Sequence, residues 1–244
     1  MGFEQIAILL AGAVAGGVVN GLTGFGTAIT ALGIWLYAIP PTAAASLAII
    51  CSVVSQLQTL HLIWRAIQWR RVLIFVIPGV LGVPLGTWLL PHIDPRLFKL
   101  GLGFVLIAYP AYVLARRRPI ASPWGGTIAD GVVGFGGGVL GGLTGLSGVL
   151  PVVWTDVRGW SKERRRSVLQ VFNMAILSFA LVSHAASGLL TRQVAVQAAI
   201  VLPATIAGAW TGAFAYRRLA DRGYQRVVMV LLLISGVALL WTSR

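Results

Sequence analysis

Residues 41–64, 72–90, 97–115, 167–190, 194–216 and 227–241 are continuous apolar runs. Most reach the length of about 20 residues that a helix needs to cross a hydrocarbon core. A chain so rarely interrupted by charge cannot hide its apolar surface in a water-soluble globule: 57% of its residues are hydrophobic and 10% charged, with a mean hydropathy of +0.87. Inside a bilayer the backbone must satisfy its own hydrogen bonds, and runs of this length do so as helices. The sequence therefore predicts an all-α polytopic membrane protein. Residues 1–20 carry Glu4 and no basic leader, so the first apolar segment is expected to be kept and not cleaved as a signal peptide. The single Cys51 excludes an intramolecular disulfide.

Two stretches break the apolar pattern in the same way. "GLTGFGTAIT" occupies residues 21–30 and "GLTGLSGVLP" residues 142–151. A second match lies further on: "IPGVLGVPLGTWL" begins at Ile77 and "LPATIAGAWTGAF" at Leu202, aligning Gly82 and Gly86 with Gly208 and Gly212. "RRRPIASPW", residues 116–124, is the charged, proline-containing stretch between them and reads as a linker. The chain is thus expected to be duplicated, with a first membrane repeat over 1–118 and a second over 119–244 forming one integral-membrane transport domain. Glycines at spacing four, Gly12/Gly16, Gly82/Gly86, Gly134/Gly138 and Gly208/Gly212, read as surfaces for close helix packing.

The formal charge of +13 does not indicate a nucleic-acid partner, because the basic residues sit between apolar runs and form no aromatic-basic module. Topology accounts for them better. If each glycine-broken segment folds back to the side it entered, 15 of the 19 Lys and Arg residues gather on one side; if each crosses once, the split is 11 to 8. Only the first agrees with positively charged cytoplasmic loops. Residues 27–38 also make a helix of about 18 Å, too short to cross a core of about 30 Å. Each half is therefore read as a glycine-broken re-entrant helical hairpin followed by three transmembrane helices. The two halves then form inverted repeats, and both termini lie on the non-cytoplasmic side.

Broken backbone at membrane depth is tolerable only inside protein or against a polar cavity. Half-helices starting near Gly26 and Gly148 aim unpaired N–H groups and positive dipole ends at one point, which suits an anion. Pro151 fits the first turn of its half-helix, where a missing N–H costs nothing. Candidate binding residues are Asn20, Thr23, Gly24, Phe25, Gly26 and Thr27 from the first break, and Thr144, Gly145, Ser147, Gly148 and Thr155 from the second. Gln56 and Gln58 on the next helix, with Gln170 and Asn173 on its counterpart, complete a shell of neutral groups, although buried amides equally often bond one another across helices. No Lys or Arg is expected at the midplane. His61 and His184 are candidates for proton coupling, against the simpler reading of His61 as an interfacial residue. Asp130 reads as a helix-end carboxylate and Asp156 as a partner of Arg158.

These duplicated motifs, the proline followed by Gly-x-x-x-Gly, and the short all-membrane chain resemble the sulfite exporter TauE/SafE family, also called the 4-toluene sulfonate uptake permease family. The resemblance covers nearly the whole chain. It implies a secondary transporter of small anions, sulfite or organosulfonates, in a bacterial inner (plasma) membrane, and no enzymatic activity. Phe25, standing where the second loop has Leu146 and Ser147, departs from strict symmetry and makes one side of the site bulkier. An alternative is a rhomboid-like intramembrane serine protease using Ser147 and His184, which leaves the serine-free sister loop unexplained. "GGGVLG", residues 136–141, matches a dinucleotide fingerprint by letter only, since a membrane helix and no strand surrounds it. No cofactor and no metal site are expected; the partners are a small anion and the lipid bilayer, and a homodimer is left open.

The charge split predicts that a phosphatase fused to either terminus is active in cells while a fluorescent protein fused there stays dark. The opposite pattern overturns the hairpin topology.

Overall fold

The computed structural model describes residues 2–89 and 125–241, together with residues 100, 101, 103, 104, 107, 108, 110–112 and 115. Among the described residues there are helices and no strand. α1 (Phe3–Thr23), α2 (Thr27–Trp35), α3 (Pro41–Thr59) and α4 (Trp69–Leu89) come first. α5 (Gly126–Thr144), α6 (Val149–Val157), α7 (Lys162–Ala186), α8 (Arg192–Arg218) and α9 (Asp221–Trp241) follow. The run expected at 97–115 is helical at every residue described there, and the linker at 116–124 lies outside the described residues. Among the described residues six helices, α1, α3, α4, α5, α7 and α8, are long and apolar enough to cross a membrane. The order long helix, glycine turn, nine-residue helix, two long helices occurs twice.

Both nine-residue helices lie back along the helix before them. Trp35, at the end of α2, donates its indole N–H to Leu9 O at 2.9 Å, and the Gln5 amide reaches Ala38 O at 2.9 Å. In the second case Trp154 on α6 donates to Asp130 Oδ1 near the start of α5 at 2.6 Å, and Arg158 pairs with the same oxygen at 3.3 Å. At 1.5 Å rise per residue, α2 and α6 are about 14 Å long. The first arms are not short: α1 has 21 residues and α5 has 19, so only the returning arm is a half-helix. Asp130 is the helix-end carboxylate expected, held by Trp154 and Arg158. Asp156, expected beside Arg158, instead pairs with Arg165 at 2.6 Å and accepts from the Gln225 amide at 2.9 Å.

Close backbone approach ties the first arms to distant helices. The most extensive helix pairs are α1 with α8 and α4 with α5. A Cβ at Gly17 or Gly21 would land on the carbonyl oxygen of Thr205 or Ala209, and one at Gly208 or Gly212 on that of Val14 or Val18. The second pair repeats the device: Gly82 and Gly86 abut Phe135 O and Val139 O, while Gly138 and Gly142 abut Gly79 O and Val83 O. Small residues let backbones meet where lipid supplies no hydrophobic drive for association. The expected packing role is therefore found, with two changes. Gly12 and Gly16 make room for Trp35 and for Thr27 and Ala31 of α2, not for another long helix. Gly21 and Gly142, read as part of the turns, belong to the packing surfaces. On its opposite face α4 exposes Ile77, Leu81, Leu85 and Trp88 at helical spacing, the surface a helix turns to lipid.

Basic segments far apart in sequence share one end of the bundle. Arg71 and Arg164 both face the Trp160 ring, at 5.9 and 4.4 Å, and the Lys162 ammonium donates to Leu219 O at 2.6 Å. The glycine interfaces give a direct stability test. Gly138→Val should destabilise the protein by about 3 kcal/mol, the upper range for overpacking. Gly131→Ala, whose Cβ would meet nothing nearer than 3.7 Å, should change stability by no more than about 0.5 kcal/mol. Unfolding in mixed detergent micelles reads both, and equal effects would mean that α4 and α5 do not meet through backbone.

Candidate functional site

The two breaks are built alike. α1 ends at Gly24, whose φ of 82° lets its N–H close onto Asn20 O at 2.7 Å; α5 ends at Gly145, with φ 74° and the same bond to Gly141 O at 2.9 Å. A left-handed residue here caps the last helical turn, and glycine adopts it without steric cost. The links then differ. Three residues, Gly24 to Gly26, join α1 to α2, and a second left-handed glycine, Gly26 at φ 94°, is needed to start α2. Four residues, Gly145 to Gly148, join α5 to α6, and Gly148 starts α6 with an ordinary φ of −77°. The constraint at Gly148 is crowding and not φ: a Cβ would sit 3.0 Å from the Asn173 amide and 3.3 Å from Phe25 Cβ, so these neighbours would have to give way.

The latter contact brings the two breaks together. Between them lies a cavity of about 10 Å³, room for about one water. Phe25 and Gly26, with Ala28 and Ile29 of the first turn of α2, form one wall; Gly145, Leu146 and Gly148 form the facing one. Ser52 and Gln56 of α3, and Asn173 and Leu177 of α7, close the sides. Neither half-helix carries a side-chain N-cap; at α6 the Val149 N–H goes to Leu146 O at 3.4 Å and Pro151 has no N–H to offer. Gln56 Oε1 is buried without a hydrogen-bond partner.

The other expected residues brace the turns. Asn20 donates to Thr27 Oγ1 at 2.6 Å, joining the end of α1 to the start of α2, while its own Oδ1 is left without a partner. The Thr23 hydroxyl lies 2.7 Å from Val19 O and 2.6 Å from Phe25 O. Ser147 donates to Asn173 Oδ1, and Asn173 Nδ2 donates to Leu169 O at 2.9 Å. Gln170 Nε2 bonds Gln56 O and Thr59 Oγ1, both at 3.0 Å, tying α7 to α3. Gln58, on the exposed side, instead donates to Ile206 O at 3.2 Å. The Thr155 hydroxyl donates back to Pro151 O at 2.8 Å. The side chain of Thr144 lies outside the described residues.

His61 and His184 share no site. His184 Nδ1 lies 3.0 Å from Ser46 Oγ in the first part of α3, and His61 Nδ1 lies 2.9 Å from Gln58 O just past its end. About 20 Å of helix separates Ser46 from His61. With His184 on Ser46 and Ser147 on Asn173, the Ser147–His184 pair of a protease is not formed.

No Lys or Arg is among the residues lining the cavity, but Arg166 lies behind the first break, beside Gly24. Fully buried in the first turns of α7, its guanidinium donates to Gly21 O at 2.7 Å and Leu22 O at 3.2 Å, and stacks 3.8 Å from the Tyr216 ring. The Tyr224 hydroxyl takes the next carbonyl, Thr23 O, at 2.9 Å. The last carbonyls of a helix have no intrahelical partner, and here, away from water, side chains supply one. A signal was present in the run Lys162 to Arg166: the fifth residue falls one helical turn before Gln170, on the face that carries the expected polar shell. Arg166→Met removes these two carbonyl bonds and a longer one from Nε to Gln170 Oε1 at 3.5 Å, and should cost about 3 kcal/mol. Detergent unfolding that leaves the midpoint unchanged would show that these carbonyls have other partners.

The family model described as sulfite exporter TauE/SafE matches residues 8–239. No curated protein and no solved structure matches the chain significantly. A match over nearly the whole length, on an all-helical chain whose two glycine turns meet, places this protein in the sulfite exporter TauE/SafE family of membrane transporters, which are not enzymes.

Proposed function

We propose that the chain carries sulfite or an organosulfonate across the membrane, binding the –SO3 group in the cavity between the two glycine turns. The observation that carries this reading is that the N-termini of two nine-residue helices, from corresponding places in the chain, open onto one buried cavity. Backbone N–H groups and the positive ends of two helix dipoles are the complement of an oxyanion. Arg166 adds a full positive charge behind the first turn, where it need not touch the ligand to favour its entry. Gln56 and Asn173 face the anion as orienting amides, with Phe25 and Leu146 shaping the two sides; Asn20, Thr23, Thr27, Ser147 and Gln170 keep the turns in place.

Alternating access follows from the same arrangement. A cavity with room for one water cannot take a sulfonate, so the turns must part to admit one and close behind it. We read residues 1–118 and 119–244 as inverted repeats, each hairpin entering from its own face of the membrane, with both termini non-cytoplasmic. The meeting of Arg71 and Arg164 on the Trp160 ring, and of Lys162 with Leu219 O, at one end of the bundle supports the topology that gathers the basic segments on the cytoplasmic side. His61 and His184, outside the cavity, can act in proton coupling only through relayed bonds such as His184 to Ser46.

Purified protein in proteoliposomes should take up labelled sulfite or taurine saturably and in preference to chloride. Gly26→Val forces a β-branched residue into a left-handed conformation at the cavity wall and should reduce uptake at least tenfold with membrane insertion intact. Gly148→Val, which crowds Asn173 and Phe25, should do the same. Wild-type transport in both variants would place the site elsewhere.

A further inference from the structure

A second cavity, of about 60 Å³, lies at the end of the bundle where the basic segments gather, between the end of α3 and the last turns of α8. Thr59 and His61 line it from the α3 side, and Trp210, Phe214 and Arg217 from α8. None of its lining residues is acidic. Its outer wall is aromatic and open: Trp210 is 61% and Phe214 57% exposed, on a helix long and apolar enough to span the membrane. The Arg218 guanidinium lies 4.3 Å over the Phe214 ring, and the His61 and Trp210 rings are 6.5 Å apart. Gln58, which also lines the cavity, donates to Ile206 O at 3.2 Å and so ties α3 to α8 at its wall.

Exposed Trp and Phe one to two turns before paired arginines mark the depth at which a spanning helix leaves the hydrocarbon and meets headgroups. A basic cavity between helices at that depth matches the chemistry of a lipid phosphate. Its opening past exposed aromatic rings distinguishes it from a site fed from water. We propose that this cavity binds the headgroup of an anionic phospholipid, with Arg217 and His61 on the phosphate and the acyl chains along Trp210 and Phe214. The site is separate from the one between the glycine turns. The two cavities share no lining residue, so the proposal does not depend on which anion is transported.

The test uses the full chain, stripped of lipid in detergent and titrated with phosphatidylglycerol or phosphatidylcholine, with retained lipid read by native mass spectrometry and stabilisation by thermal melting. Phosphatidylglycerol should be retained and should stabilise, phosphatidylcholine should do neither, and Arg217→Ala should weaken the phosphatidylglycerol titration at least fivefold. Arg217→Lys, which keeps the charge, should stay within about threefold of wild type and stands in if the alanine variant does not fold. Undiminished retention in Arg217→Ala, or equal binding of the two lipids, overturns the proposal. Stabilisation by inorganic phosphate matching that by phosphatidylglycerol also overturns it, in favour of a soluble-anion site.

Discussion

A helix that stops inside a protein leaves carbonyls that water cannot reach, and much of this structure answers that demand. At the end of α1 the carbonyls of Gly21, Leu22 and Thr23 go to Arg166 and Tyr224, and that of Asn20 goes to the N–H of Gly24. Burying a guanidinium is costly unless its hydrogen bonds are well made, and here the charge and the orphan acceptors offset each other. Because α1 is closed in this way, the chain is free to restart as α2 with its N–H groups unclaimed. Gly26, Ala28 and Ile29 at the start of α2 and Gly148 before α6 line the cavity, while the acceptor-rich end of α1 is neutralised by residues from far along the chain.

Glycine serves two distinct ends in the same stretch. In the first motif Gly21 abuts Ala209, Gly24 closes the helix in a left-handed conformation, and Gly26 opens the next one. Three neighbouring glycines thus hold a packing contact, a cap and a helix start within two turns of chain. A substitution at Gly21 acts on the α1–α8 contact, whereas one at Gly26 acts on the cavity wall. The motif is compact because packing fixes the height of α1 against α8, and that height sets where the turn meets its counterpart.

Much of this was legible in the sequence. Long apolar runs gave the spanning helices, repeated glycines located both turns, and the tally of basic residues agreed with hairpins whose returning arms are nine residues each. The expected lining divides by position: Phe25, Gly26, Gln56, Gly145, Gly148 and Asn173 reach the cavity, while Asn20, Thr23, Thr27, Ser147 and Gln170 brace its walls. Spacing along one segment says which residues are near the break but not which way each side chain turns. Arg166 escaped notice because a run of basic residues at a helix start ordinarily faces water, and only tertiary packing of α7 against the end of α1 takes this one inside. Ser52, Ala28 and Leu177 carried no signal of their own, their place at the cavity following from the crossing of α3, α2 and α7.

The bond from Tyr224 to Thr23 joins residues 201 positions apart, and that from Arg166 to Gly21 spans 145. During synthesis, therefore, α1 is complete long before the side chains that close its end exist. Until α7 and α9 have emerged, the first turn is an unfinished surface with bare carbonyls, and it can reach its final depth only when nearly the whole chain has been made. Contacts of such long sequence range fold slowly. The order of events in the membrane is then set by the last third of the chain, and truncation beyond α6 leaves the first hairpin unable to settle even though every residue of it is present.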